Sequence, residues 1–182
     1  TSSELGVHYD SLQGWTLGVT GFHNRITDQL SSTTCGVASI ASCSVQGATP
    51  DSSYPVNLDS ATTQGLELTS TLQFAENWSL RLNYTYTDSE IKRNGQADGP
   101  LSDTAKHMAN ATLRWDANER FSFWLQGEYR GKSRRFDGDP SGYTGDTLAA
   151  YNALGDLKSY TVFNLGGQYR ASKNVTLNAT IY

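Results

Sequence analysis

Between Gly65 and Tyr86 the chain alternates apolar and polar residues in two runs, separated by the short segment Ala75-Glu76-Asn77. A period of two is what a strand with one apolar and one wet face requires. Placing Phe74 opposite Trp78 sets Leu72 against Leu80, Ser70 against Leu82, Leu68 against Tyr84 and Leu66 against Tyr86, all on one face. The other face carries Glu67, Thr69, Thr71 and Gln73 against Ser79, Arg81, Asn83 and Thr85. Aromatic side chains mark both ends of the apolar face. Phe74 and Trp78 lie by the turn, and Tyr84 and Tyr86 lie roughly 20 Å away, at about 3.3 Å per residue with some tilt.

The same arrangement recurs in three further hairpins. Leu5, Val7 and Tyr9 face Val19, Leu17 and Trp15 around residues 10–14. Ala111, Leu113 and Trp115 face Leu125, Phe123 and Phe121 around residues 116–120, and Phe163, Leu165 and Tyr169 face Ile181, Ala179 and Val175 around residues 170–174. The pattern predicts about eight strands in an antiparallel up-and-down meander with every short turn at one end. At the other end, residues 29–54, 92–103 and 131–157 form long connections rich in Gly, Ser, Asp and Thr. An apolar band flanked by aromatic girdles, with short turns on one side and long loops on the other, predicts an all-β segment of a transmembrane β-barrel of the bacterial outer membrane.

Composition agrees with a wall and not with a thick core. Only 37 % of residues are hydrophobic, and no apolar run approaches the roughly 18 residues of a transmembrane helix. A barrel strand needs only about 9 to 11 residues. The formal net charge of −4 offers no basic footprint for nucleic acid. Cys35 and Cys43 share one polar stretch outside any alternating run and are read as a local loop disulfide, which implies an oxidising compartment. The Asn-x-Ser/Thr matches at Asn77, Asn83, Asn110, Asn174 and Asn178 are read as by-products of wet strand faces. A start at Thr1 without Met, and an end inside the alternating run 175–181, read as a piece of a longer chain.

The run from Tyr54 through GLEL…F…NWSLRLNYTYTDSEI, the segment GEYRGKSRRF and the closing SYTVFNLGGQYRASKNVTLNATIY together resemble the C-terminal part of the barrel of TonB-dependent outer-membrane receptors, particularly those for ferric siderophores. The resemblance spans nearly the whole chain. It implies a 22-stranded barrel of which residues 1–182 supply about eight strands as one partial barrel domain, with the N-terminal plug absent and the final returning strand missing. It also implies a monomeric active importer energised by TonB through that plug, set among outer-membrane lipid and lipopolysaccharide. No bond is made or broken in such a protein, so it has no catalytic residues, no cofactor and no resident metal; iron is cargo. A small structural or adhesive eight-stranded barrel is the competing reading. A hydrolase would need a Ser and a His placed together, and His8, His23 and His107 have no companion motif.

The candidate capture residues cluster where a strand leaves the membrane. Arg130, Lys132, Arg134 and Arg135 precede Phe136, and Tyr143 and Tyr151 follow in the same loop. Cations and aromatic rings suit an iron-loaded catecholate siderophore, which is anionic and aromatic. The same cations would also meet lipopolysaccharide phosphates or pair with Asp137, Asp139 and Asp146, and the two tyrosines would also pack their own loop. His107, opposite Tyr129, is read as interfacial. Arg81, Arg114 and Glu128 face the lumen, where they either meet the plug or form salt bridges within the wall.

Overall fold

The computed structural model describes residues 1–34, 49, 53–92 and 98–182, with the side chains of residues 28–34 and 53–59 excepted. Among these residues eight strands form one sheet in sequential order: β1 (Ser2–Asp10), β2 (Trp15–Thr34), β3 (Ser53–Ala75), β4 (Trp78–Lys92), β5 (His107–Asp116), β6 (Phe121–Arg130), β7 (Tyr160–Arg170) and β8 (Thr176–Ile181). Every neighbouring pair is antiparallel. The β1–β2, β3–β4, β5–β6 and β7–β8 turns lie at one end, as the alternation predicts. Cys35 and Cys43 lie outside the described residues.

The central hairpin has the expected register over most of its length, from Leu66↔Tyr86 to Leu72↔Leu80. It departs at the turn, where the register shifts between Gln73 and Ala75 and Ala75, not Phe74, pairs with Trp78. The bulge lets the tight turn close while Phe74 still packs its ring 6.2 Å from that of Trp78. The other three hairpins keep their faces but slide along the strand. Val7 pairs with Val19, Leu113 with Leu125, and Leu165 with Ile181. A shift of two leaves every side chain on its side, so alternation alone does not fix it. His107 sits opposite Tyr86, and Ala109 opposite Tyr129.

The apolar face has no protein layer over it. Leu125 is 45 % exposed, Phe163 66 % and Leu177 58 %, and among the described residues only Ala61, Ile91 and Ala105 are buried apolar side chains. A continuous uncovered apolar sheet face needs a lipid environment. Its rim near the turns is a row of rings running Phe74, Trp78, Trp115, Phe123, Phe121 and Tyr169, with neighbouring centroids 4.6 to 6.5 Å apart. At the opposite rim Tyr84 and Tyr86 flank His107, and the Tyr84 hydroxyl hydrogen-bonds His107 Nδ1 at 2.8 Å.

The wet face is held by cross-strand amides: Asn83 Nδ2 donates to Asn110 Oδ1 at 2.8 Å and Gln168 Nε2 to Asn178 Oδ1 at 3.2 Å. It also carries large rings, Trp124 among them. Trp124 lies flat over its partner Gly166, where a Cβ would overlap the indole.

Two connections differ from the sequence reading. Residues 29–34 and 53–54 are strand, paired from Gln29↔Leu58 to Thr34↔Ser53, although their Ser/Thr-rich run was expected to be loop. That run has no alternation of apolar and polar residues, so the signal that marks a half-buried strand is missing from it. The 131–159 connection contains a 3-10 turn (Pro140–Gly142) and a helix α1 (Gly145–Leu154), the helical segments among the described residues. The helix starts at Gly145, its N-cap Thr144 makes no side-chain bond, and it buries no residue, so it leaves little sequence trace.

Candidate ligand-capture surface

The long-loop end is built from two connections clasped together. Ile91 N–H donates to the Gly99 carbonyl at 2.8 Å, which ties the 98–106 segment to the top of β4. That segment then docks on the next loop. Ser102 N–H donates to Asp137 Oδ1 at 2.6 Å, Asp103 N–H to the Arg134 carbonyl at 2.9 Å, and Gly138 N–H to the Pro100 carbonyl at 3.0 Å. Gly99 lies against the Gly138–Asp139 backbone with no space for a Cβ. Asp139 Oδ1 accepts from Ser141 N–H at 2.9 Å and from Ser141 Oγ at 2.6 Å, starting the 3-10 turn. Those bonds hold the Asp139 carboxyl below its ordinary 3.8.

The predicted capture residues do come together here, but most already have partners. An Arg130 guanidinium N–H donates to the Asp103 carbonyl. Arg134 Nη1 pairs with Asp156 Oδ2 at 2.8 Å, and Arg135 Nε donates to the Gly155 carbonyl at 3.0 Å, beyond the C-terminal end of α1. A cation placed there also meets the negative end of the helix dipole. Phe136, Tyr143 and Tyr151 form an edge-to-face chain with centroids 6.0 and 5.2 Å apart. The Tyr143 hydroxyl donates to the carbonyls of Phe136 and Gly138, 2.8 and 3.2 Å away. Burial pushes its phenol up, with nearby Arg134 pulling the other way. Arg134, Arg135 and Tyr143 thus hold the loop in shape. Lys132 stays exposed with no ion pair or hydrogen bond among the described residues, and Lys158, which the sequence reading passed over, is in the same condition.

Among the described residues, two hollows lie on the lumen wall between β3 and β7. Near the short turns, one of about 350 Å³ is lined by Arg81, Arg114, Trp124, Thr112 and Gln126. Arg114 is engaged by Asp116, with Nη2–Oδ1 at 2.6 Å, whereas Arg81 makes no hydrogen bond or ion pair among the described residues. Trp124 was missed because its neighbours Phe123 and Leu125 draw attention to the lipid face; its even position on β6 was the available signal. Glu128 stands apart from the two arginines. It accepts from Asn164 Nδ2 at 3.3 Å and belongs to the second hollow, about 280 Å³, nearer the loops.

Comparison with known proteins places these features in context. The family model for the β-barrel of TonB-dependent receptor-like proteins matches residues 1–182. The chain is 34 % identical to the iron-regulated outer membrane virulence protein of Vibrio cholerae (classical Ogawa strain) over 100 % of its own length and 26 % of that protein. It is 31 % identical to the ferric enterobactin receptor of Pseudomonas aeruginosa, over 99 % of the chain and 23 % of the receptor. A crystal structure of a ferric enterobactin receptor mutant from P. aeruginosa superposes with a TM-score of 0.68 at 26 % identity, covering 98 % of the chain and 24 % of the receptor. The chain therefore spans about a quarter of the length of the relatives it matches.

Proposed function

Because the chain belongs to the TonB-dependent receptor β-barrel family and lies in the outer membrane, we propose that it forms one sector of the wall of a ferric siderophore importer. The observation that carries this reading is that the alignments to an iron-regulated outer-membrane protein and a ferric enterobactin receptor run through essentially every strand and loop of the chain. In this role the iron chelate is cargo, and the protein performs no chemical step on it. The clasped 98–106 and 131–159 loops stand at the outer mouth. Arg130, Lys132, Arg134 and Arg135 bring four cations to that mouth, two of them while holding the loop, and Phe136, Tyr143 and Tyr151 supply an aromatic floor. An anionic, aromatic catecholate chelate fits such a surface through charge and ring contact.

Arg81, Arg114 and Trp124 at the opposite end of the lumen face the place where a plug would seat, and energy would reach that plug through TonB. The experiment is uptake of radiolabelled iron, presented as catecholate and hydroxamate chelates, by cells whose only such receptor is the full-length protein. Uptake of a ferric chelate that stops when TonB is deleted supports the reading. Absence of uptake and of binding for every chelate, with normal receptor abundance, would reject it.

A further inference from the structure

The β6–β7 ladder continues past its named ends. Arg130 pairs with Tyr160, and Ser133 bridges Leu157 in the same register through a reciprocal pair of backbone bonds of 3.2 and 3.0 Å. Two residues on each side separate those rungs and make no ladder pairs of their own, and the shared register sets Lys132 across from Lys158. Both lysines share the parity of Arg130 and Tyr160, which line the second hollow, so the register puts them on the lumen side toward the loop end of that hollow. Like charges set opposite each other on adjacent strands destabilise a sheet. Here two ammonium groups, without a partner among the described residues, adjoin an arginine, and the carboxylate in the lining of the hollow, Glu128, is engaged by Asn164.

The hollow beneath is shaped for part of a ligand. Its volume is about 280 Å³, with Tyr160 and Met108 offering ring and thioether surface and Asn83 and Asn110 offering amides lower down. An enclosed cavity of about 150 Å³ is enough for a benzene-sized ring, so this open hollow of about 280 Å³ has room for an aromatic arm with its oxygens.

We infer that Lys132, Lys158, Arg130 and Tyr160 form a wall subsite that receives one aromatic arm of an anionic iron chelate as it descends into the lumen. The ring lies against Tyr160 and Met108, and the metal-bound oxygens face the three cations. This subsite rests on the importer reading above but assigns its own residues, one of which, Lys158, lies outside the arginine-rich run. Arg134 and Arg135, held by Asp156 and Gly155, shape the approach, whereas the lysine pair makes the contact.

The test uses the purified full-length receptor and two probes, an anionic iron(III) tris-catecholate and a neutral iron(III) tris-hydroxamate, each titrated at low and high salt. K132Q/K158Q should weaken binding of the anionic probe by about tenfold or more and flatten its salt dependence, and K132R/K158R should recover most of the affinity. Binding of the anionic probe by K132Q/K158Q within about twofold of wild type at both salt concentrations would overturn the subsite while leaving the importer reading intact. Wild-type receptor that binds only the neutral probe would also overturn the subsite alone. Wild-type receptor that binds neither probe would overturn both.

Discussion

A single side chain in this wall is judged by which solvent it faces. Leu80, Leu82, Leu113 and Leu125 project from the face that has no protein over it, and Asn83 and Thr112 lie one position away on the wet face. An arginine at Leu125 should therefore cost the intact barrel roughly 2 to 4 kcal/mol if that residue sits near the bilayer midplane, and an arginine at Thr112 should be nearly neutral. Folding titrations of the full-length protein into lipid measure both; equal costs would mean the faces are assigned wrongly. Arg134 illustrates the same dependence on setting. Its partly buried pair with Asp156 is worth about 1 kcal/mol at most, as ion pairs with this much exposure usually are. Its replacement by Ala should loosen α1, read as faster amide exchange across residues 145–154, without changing the melting of the barrel.

Among the elements, the clasp between residues 98–106 and 131–139 carries the clearest mechanical consequence. Gly99 has no room for a side chain against Gly138 and Asp139, so Gly99→Val should separate the two loops. Amide exchange should rise in both segments together and stay unchanged in β4 to β7; a rise confined to the 98–106 segment would show that the loops are independent. The 3-10 turn adds a dependence on acid. Ser141 lowers the Asp139 pKa on folding, so this bond helps to order the turn above the ordinary carboxyl value of 3.8 and that help is lost as the pH falls through the lowered value. Protease sensitivity of the loop should rise in that acid range in the wild type. Asp139→Asn should remove the transition.

The elements differ in how legible they were. β4 could be read residue by residue because lipid and water impose opposite demands on alternate positions. The top of β2 and β3 could not be read in that way, because that run has no such alternation. α1 left no apolar stripe to read. The partners of the cations were hidden for another reason: Arg134 finds Asp156 across 22 residues of loop, while the nearer Asp137 turns its carboxylate to the Ser102 N–H. Lys158 was invisible as a neighbour of Lys132 until the ladder joined Ser133 to Leu157.

For the molecule as a whole, the account rests on one sheet with two solvents. An apolar face ringed by aromatics at both rims, a polar lumen face braced by amide pairs and a clasped loop layer at one end are the parts a receptor wall needs. The proposed capture of an iron chelate presupposes that geometry. The most direct measurement is spin-label accessibility along β4 in the full-length receptor embedded in outer-membrane lipid, with labels at Leu80, Arg81, Leu82, Asn83 and Tyr84 in turn. The account predicts that a lipid-soluble relaxant reaches labels at 80, 82 and 84 and a water-soluble one reaches 81 and 83, in strict alternation. Equal access of the water-soluble relaxant to all five positions, or an alternation of the opposite phase, would contradict it.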